Sequence, residues 1–385
     1  MDRIEHYRKQ RQRIIDGLYN CIPLPFKRFS KFWPGTEKGK YIIVTANQKV
    51  GKSKFVDYVY VYEAILFVMQ HPEVRLKIFY FSLEIDPKLK EDEFNSFLLN
   101  RLDGLEISPT QLNSVNADEV IDNDILDLLE SSKYQQYRDV YKQIVTYISD
   151  IRNPTGITKF CRDYALNNGT INYTDNFFID ESGNKKYLMD KNNPYTPNDE
   201  EEYRIIIIDN ASNFSLEKGL NKAETIDRMS KNIIQLRDTF GYTCVLIQHQ
   251  AQAQEGIENR KMGLVKPSSD GLADCKTTSR DCNTLIGLYS PFKYGIPEYE
   301  GYNIKKFRNY IRFAEVLEDR DYGANGQICP LFFNGAVSVF KELPRADDPS
   351  IEEITEYVNS LNIRKTTAVK EAVLFIKDLI TKLFK

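Results

Sequence analysis

Short apolar runs alternate along the chain with longer amphipathic stretches, and this alternation predicts an α/β fold. Each run is rich in β-branched or aromatic residues and too short for a helix, which is typical of a buried strand. Strands that alternate with helices favour a mainly parallel, twisted sheet flanked by helices. The apolar runs cover residues 41–45, 77–82, 205–208 and 243–247. The helical patterns cover residues 54–70, 87–150 and 157–168.

One segment, residues 169–202, departs from this alternation. It is rich in Asn, Asp, Tyr, Gly and Pro, and two apolar runs, 177–179 and 186–189, flank a Ser-Gly-Asn turn. Apolar runs on either side of such a turn predict a β-hairpin. We therefore expect a small surface hairpin inserted into the α/β domain.

Both ends of the chain have helical patterns, and we place them outside the domain at 21–345. Residues 1–20 combine an apolar stripe with a basic run at 8–13, which fits a solvated helix, a helix docked on a neighbouring subunit, or a nucleic-acid contact. Residues 346–385 form a predicted helical tail, whose last part has a wide apolar face and several lysines. That face could pack on its own domain, bind a partner or lie on a membrane surface.

Composition narrows the class of protein. The chain has 385 residues, 42% of them apolar, with 22 Phe and 24 Tyr, which is enough for a large core and excludes global disorder. Lys plus Arg number 52 against 55 Asp plus Glu, so a histone-like basic coat is excluded, although a local basic stripe is not.

Cysteine usage and hydropathy indicate a compartment. The six Cys include no CxxC pair and only three His are present, which argues against a zinc site and fits a reduced, cytoplasmic protein. No run of about 18 apolar residues occurs, and the N-terminus lacks the apolar core of a signal peptide. We expect no membrane partner.

A phosphate-binding loop follows the first predicted strand. Gly51 permits close approach of the backbone, Lys52 can reach the β- and γ-phosphate oxygens, and the Ser53 hydroxyl can bind Mg²⁺. A strand before the motif and a helix after it supply the required context, so ATP and Mg²⁺ are the expected cofactors. The motif is Ala46-Asn47-Gln48-Lys49-Val50-Gly51-Lys52-Ser53, with Ala in place of the first Gly.

Two carboxylates complete this predicted site. Glu84 follows the second strand, where it would face the γ-phosphate and could take a proton from the attacking water. Asp209 ends an apolar strand, as in a Walker B motif, and would support Mg²⁺ through its water shell. Asn210 occupies the position at which other ATPase classes have Glu, so Glu84 is the preferred base.

A polar cluster ends the strand at 243–247. Gln250 is our candidate for a side chain that hydrogen-bonds the γ-phosphate and reports hydrolysis to the next loop. His249 is an alternative catalytic base, although a hydrogen-bonding role suits it better.

These four motifs, in this order, resemble the RecA-like motor domain of DnaB-type replicative helicases. The resemblance covers residues 21–343, and more segments agree with it. They are 21–26 (Cys-Ile-Pro-Leu-Pro-Phe), 80–85 (Tyr-Phe-Ser-Leu-Glu-Ile), 249–250 (His-Gln), 269–270 (Ser-Asp), 281–289 (Asp-Cys-Asn-Thr-Leu-Ile-Gly-Leu-Tyr), 315–323 (Glu-Val-Leu-Glu-Asp-Arg-Asp-Tyr-Gly) and 331–333 (Leu-Phe-Phe).

The resemblance implies a trans-acting arginine. Arg320 falls in the family's Lys-x-Arg segment, so it is expected to act as a finger on a neighbour's nucleotide, while Glu318 replaces the basic residue. A local salt bridge with Glu318, Asp319 or Asp321 is the alternative. No N-terminal primase-binding domain is seen in the sequence, and the 169–202 insertion is additional to the family pattern.

Single-stranded DNA is the partner that the resemblance implies, held by the loop after the γ-phosphate-sensing strand. Here that loop is 251–278, and its basic side chains suit backbone contact without base readout. The candidate DNA-binding residues are Arg260, Lys261, Lys266 and Lys276.

The sequence therefore predicts a RecA-like P-loop ATPase that forms a homo-hexamer, translocates on single-stranded DNA and unwinds duplex DNA. A primase or a loader would be a further partner. The departures from the family, with Asn-, Lys- and Tyr-rich usage, suggest a phage-type variant acting in a host cytoplasm. The alternatives are a RecA-like regulatory or recombination ATPase that does not unwind, and an interaction protein with a vestigial nucleotide site.

Overall fold

The computed structural model describes residues 3–364, and within that range a nine-stranded sheet organises the fold. Its spatial order is β9-β8-β7-β6-β1-β5-β4-β2-β3, so strands distant in sequence are neighbours. In chain order the strands are β1 Tyr41–Ala46, β2 Arg75–Ser82, β3 Val145–Ile148, β4 Glu202–Asp209, β5 Thr243–His249, β6 Thr284–Tyr289, β7 Ile311–Asp319, β8 Ile328–Asn334 and β9 Val339–Glu342.

Six strands, from β6 through β1 to β3, are parallel, and β7 to β9 are antiparallel. The register aligns the carboxyl ends of the parallel strands: Asp209 lies opposite Ser82 and Ile247, and His249 lies opposite Ala46. The predicted α/β fold with a mainly parallel sheet is confirmed. Its consequence is that the P-loop, Glu84 and Asp209 share one edge.

Helices cover both faces of the sheet because alternate side chains of each buried strand point to opposite sides. Ile42 and Val44 belong to the apolar cluster that includes α2 and α3, whereas Tyr41 and Ile43 belong to the cluster that includes α7 and α8. The helices are α1 Arg3–Ile15, α2 (Lys52–Val56, π-helical Asp57–Tyr62, Glu63–Gln70), α3 Pro87–Asp103, α4 Pro109–Leu112, α5 Asn123–Glu130, α6 Ser132–Ile144, α7 Pro154–Asn167, α8 Lys222–Phe240, α9 Ile257–Lys261, α10 Ile304–Phe307 and α11 Ser350–Arg364.

The predicted hairpin is present in the insertion. Strands Tyr173–Ile179 and Lys185–Met189 pair with each other as a two-stranded sheet, next to a short antiparallel pair formed by Gly169–Ile171 and Tyr195–Pro197. Most residues of the hairpin are exposed. It therefore projects from the domain without joining the nine-stranded sheet.

The terminal helices differ in how they attach. α1 buries none of its residues and is held through Lys9 with Glu200 (2.7 Å) and through Arg13 with Glu201. α11 packs its buried side chains, Val358 among them, into a core with β7 and β8. The amphipathic face expected near 369–383 lies outside the described residues. Within residues 3–364, no helix is both long and apolar enough to cross a membrane.

Candidate nucleotide-binding site and the loop beside it

The loop from Ala46 to Ser53 joins β1 directly to α2. Ala46 is the last residue of β1 and pairs with His249, so an extended strand position accommodates Ala where the motif usually has Gly. Gly51 has a φ of 107°, and a Cβ there would lie 3.2 Å from the Phe333 ring, so this position requires glycine. The result is the strand–turn–helix arrangement that presents backbone N–H groups to a phosphate.

Lys52 begins α2, and its side chain folds back over the loop. Its Nζ donates to the carbonyl oxygens of Ala46 (3.2 Å) and Asn47 (3.3 Å). Burial lowers the pKa of Lys52 to about 8, and the carboxylates of Asp209 and Glu84 act in the opposite direction. A polyphosphate would offer this ammonium group stronger, charge-assisted partners than two carbonyls.

Asp209 is buried at the end of β4, with one oxygen left over. The Tyr80 hydroxyl donates to its Oδ2 at 3.2 Å, whereas Oδ1 has no hydrogen-bond partner among the described residues. A buried carboxylate oxygen without a partner fits a role in holding a cation or its bound water. Ser53, in the first turn of α2, supplies a hydroxyl. The donor chemistry of these two residues therefore fits Mg²⁺.

Glu84, Asn210 and His249 form a polar row beside Lys52. The Asn210 Nδ2 donates to the Glu84 carboxylate and lies 3.0 Å from the His249 Nε2. Burial, followed by the charge of Lys52, lowers the pKa of His249 to about 4, so its ring is neutral at pH 7. A ring that accepts from Asn210 at Nε2 carries its hydrogen on Nδ1, which has no partner among the described residues.

Gln250 links the P-loop strand to the following loop. Its Nε2 donates to the Thr45 Oγ1 and to the Ser268 carbonyl, each at 3.0 Å, and its Oε1 accepts from the Ser268 N–H at 3.1 Å. The amide is thus fully engaged by protein groups. Its neighbour His249 is the residue that reaches Glu84 through Asn210.

A buried ion cluster lies behind the carboxylates. Lys90 of α3 has a fully buried side chain, with Nζ 2.5 Å from Asp57 of α2, 3.7 Å from Glu93 and 4.0 Å from Asp209. Burial opposes the charge on Lys90, but the surrounding carboxylates outweigh it and raise the pKa of the lysine. The cluster connects the P-loop helix to the helix that follows Glu84.

Two solved structures share this architecture over most of the chain. One is an ATPase domain of a DnaB-like replicative helicase, which matches with a TM-score of 0.59 at 11% identity, over 89% of this chain and 99% of that one. The other is a DnaB-like replicative helicase solved with its interactions with primase, which matches with a TM-score of 0.61 at 12% identity, over 89% of this chain and 67% of that one. The chain has the RecA-like fold of DnaB-like helicase ATPase domains.

At 11–12% identity, these similarities establish the fold. No protein-family model and no curated protein matches the sequence. The predicted resemblance to the DnaB-type motor is confirmed at this level, and the chemistry has to be argued from the site.

In this RecA-like fold, residues 251–278 connect β5 to β6 beside the P-loop. Arg260, Lys261 and Lys276 are exposed, while Lys266 lies 2.8 Å from the Glu315 carboxylate. Three of the four predicted DNA contacts therefore present their charge to solvent, and the fourth has a carboxylate partner.

Arg320 lies at the opposite end of the sheet from the P-loop. It follows β7, which is antiparallel to β6, and its guanidinium donates to the Arg280 carbonyl. The adjacent acids have other partners: Asp321 contacts Lys40 at 2.8 Å, and Asp319 accepts backbone N–H groups of the next turn. Among the described residues, the local salt bridges of the alternative therefore do not form.

Several site residues were not identified from sequence. Arg312, buried in β7, donates to the Val50 carbonyl of the P-loop at 2.7 Å, and burial lowers the pKa of Arg312 to about 9. Lys90 and Lys293 also contact the site. A charged residue inside an apolar strand pattern was the available signal for Arg312, and a lysine just after a strand end was the signal for Lys293.

Proposed function

We propose that the protein is an ATP-driven motor that hydrolyses ATP to translocate on single-stranded DNA and unwind duplex DNA. The observation that carries this proposal is the meeting of the P-loop, Glu84 and Asp209 at one sheet edge, directly beside the basic 251–278 loop. Gln250 bonds to both Thr45 and Ser268, so phosphate site and loop share one side chain.

The residues divide the chemistry of hydrolysis. The P-loop backbone and Lys52 bind the β- and γ-phosphates, while Glu84 accepts the proton of the attacking water. Asn210 orients Glu84 through the hydrogen bond that joins them. When bound at Ser53 and Asp209, Mg²⁺ would neutralise charge on the phosphate oxygens.

The segment that ends β5 reads the phosphate and passes its state to the loop. His249 offers an unpartnered Nδ1–H beside Lys52, which suits a hydrogen bond to a phosphate oxygen. Gln250 then carries the change to Ser268 through its amide. The exposed Arg260, Lys261 and Lys276 would contact the DNA backbone, with Lys266 contributing once it leaves Glu315.

Assembly is part of this proposal. We propose a homo-hexamer in which Arg320 reaches the nucleotide of the adjacent subunit, with a primase or loader as an additional partner and the cytoplasm, or a phage host's cytoplasm, as location. The support is the fold shared with a DnaB-like helicase whose structure includes interactions with primase. Sizing with a non-hydrolysable ATP analogue tests the ring.

Strand separation of a forked DNA duplex with ATP is the deciding experiment. We expect unwinding and DNA-stimulated ATP turnover by the wild type, and neither by Lys52→Ala. Reversal of Arg260 and Lys261 to Glu should weaken binding to every single-stranded sequence alike and lower the salt slope by about one for each phosphate group that is no longer bound. ATP turnover without strand separation would contradict the motor proposal.

A regulatory or recombination ATPase that binds DNA without unwinding is the second candidate. Glu318 stands where the resemblance expects a basic residue, and Lys266 is paired with Glu315, so this chain directs less positive charge to the two places a motor uses. This candidate predicts DNA-dependent ATP turnover with an intact fork.

A further inference from the structure

A short 3₁₀-helix after β6, Pro291–Tyr294, joins the P-loop to the 251–278 loop. Lys293 Nζ donates to the Gln48 carbonyl of the P-loop at 2.8 Å and forms an ion pair with Glu255. One lysine thus touches the P-loop backbone and a carboxylate of the candidate DNA loop at the same time.

Tyr294 forms a second connection between the same two loops. The Asn47 Nδ2 donates to the Tyr294 hydroxyl at 2.6 Å and to the Val265 carbonyl at 2.8 Å. The Tyr294 hydroxyl donates in turn to the Glu255 carboxylate at 2.7 Å. Glu255 is therefore the point at which both connections meet.

The charges of this arrangement act in opposite directions on a bound polyphosphate. Burial alone would raise the pKa of Glu255, but the hydrogen bonds from Lys293 and Tyr294 prevail and lower it, so the group is an anion at pH 7. Both Glu255 and Lys293 are close enough to influence the Lys52 ammonium. A nucleotide on the P-loop would thus meet one carboxylate that repels it and one ammonium group that attracts it.

We propose that Lys293 is a nucleotide-binding residue that exchanges the Glu255 carboxylate for the terminal phosphate of a nucleoside triphosphate. The inference rests on the proposed nucleotide site and adds to it a residue and a consequence. A lysine on its flexible four-carbon stem can change partners without a backbone movement. The terminal phosphate, with more charge than a carboxylate, is the stronger competitor.

Release of Glu255 is the consequence for the loop. Without Lys293, the carboxylate retains one hydrogen bond, from Tyr294, and sits near the negative phosphates. The segment from Gln252 to Leu264 would then leave the P-loop when a triphosphate is bound and return when only a diphosphate remains. Nucleotide and loop conformation are linked because each binds Lys293 in one state only.

A permanent structural tie is the rival interpretation. In that case, Lys293 and Glu255 stay paired in every nucleotide state, and removal of the pair loosens the loop without changing the preference for the third phosphate. The two interpretations differ in whether Lys293 distinguishes triphosphate from diphosphate.

Nucleotide affinity measured by fluorescence with labelled ADP and a non-hydrolysable ATP analogue separates them. Lys293→Met should weaken the triphosphate about tenfold or more, as expected for removal of a hydrogen bond to a charged group, and ADP by less than about threefold. Glu255→Gln removes the competing charge, so its triphosphate affinity should equal or exceed that of the wild type. Lys305→Met, at an exposed lysine of α10, is the matched control and should change neither affinity.

Hydrogen exchange of the 252–264 segment reports the loop. The ATP analogue should accelerate exchange there in the wild type, while Lys293→Met should exchange rapidly with or without nucleotide. Lys293→Gln, which keeps a donor for the Gln48 carbonyl, should follow Lys293→Met and serves if that variant folds poorly.

The results also separate this inference from the proposed site. Absence of nucleotide binding by the wild type would overturn the site itself. Normal binding, with equal weakening of both nucleotides in Lys293→Met or with 252–264 exchange indifferent to the analogue, would overturn the exchange of partners and leave a structural tie.

Discussion

Lys52 is the residue at which burial and phosphate binding oppose each other. Its lowered pKa of about 8 means that the free protein loses this positive charge as the pH rises through 8. A bound polyphosphate favours the charged form, so above that pH each nucleotide must bind with uptake of a proton. We expect affinity to be flat below about pH 8 and to fall by up to about tenfold per pH unit above it.

Calorimetry in buffers of different ionisation heat measures that proton directly. Lys52→Met should bind weakly, with no pH dependence across the same range. A wild-type affinity that stays constant as the pH rises well above 8 would contradict this linkage, because it would mean that Lys52 keeps its charge throughout.

Glu84 is the residue on which the hydrolysis chemistry depends. Glu84→Gln keeps the shape and the contact with Asn210 but cannot take a proton, so nucleotide affinity should stay within about threefold while turnover falls by at least about 10²-fold. Glu91→Gln, at an exposed position on α3, is the control and should retain turnover. Turnover that survives Glu84→Gln would point to His249 or Asp209 as the base.

At this scale, sequence predicted the groups that are local and missed those that are not. Gly51, Lys52 and Ser53 lie within one turn, so their spacing alone indicates a phosphate site. Lys90 and Lys293 act through residues more than 30 positions away, and their local sequence does not indicate which partner they contact. Long-range pairing is a property of the sheet order.

At the scale of elements, α2 and α3 are joined by the buried Lys90. Removal of one partner from a buried ion pair typically costs about 3–5 kcal/mol because the other charge remains without compensation. Lys90→Met should therefore lower the free energy of unfolding by roughly that amount, measured by denaturant titration. The double variant with Asp57→Asn should cost less than the two single changes together, since it removes both charges.

Additive effects in that cycle would mean that Lys90 and Asp57 act independently. Lys142→Met, at an exposed position on α6, is the reference and should stay within about 0.5 kcal/mol of the wild type.

Sequence predicted most elements, and its omissions have physical causes. The strands containing Ile43, Phe79 and Ile206 were found because fully buried parallel strands are continuous apolar runs. β3 was not, since Val145–Ile148 directly continues α6 and becomes a strand only by pairing with the edge of β2. The π-helical part of α2 has no pattern of its own, because its residues are buried on all sides.

At the scale of the whole molecule, the sheet order places Arg320 away from its own P-loop. Asp319 pairs with Thr284, and Thr284 pairs with Ile42, four residues before the strand ends at Ala46. At about 3.3 Å per residue, that separation is on the order of 13 Å along the strand alone. The alternating motifs predicted the parallel sheet, but only its spatial order gives this distance, which favours action on a neighbouring subunit.

Mixing of two inactive variants tests that action. Arg320→Ala and Lys52→Ala should each lack ATP turnover, because each removes a charge that stabilises the transferring phosphoryl group. In mixed rings, an Arg320→Ala subunit keeps its P-loop and can receive Arg320 from a Lys52→Ala neighbour. Random equal mixing leaves about a quarter of the interfaces intact in a closed ring, so activity should return to at most that fraction of the wild type.

The alternative, an Arg320 that serves its own nucleotide, leaves no intact site in any mixture. Recovery must therefore depend on subunit exchange, and rings locked by cross-linking before mixing should stay inactive. Arg320→Lys is informative as well: a lysine keeps the charge but loses the guanidinium fork that holds two oxygens, so it should restore little. If mixed rings form, as shown by native mass spectrometry, and turnover remains absent, Arg320 does not act across the interface.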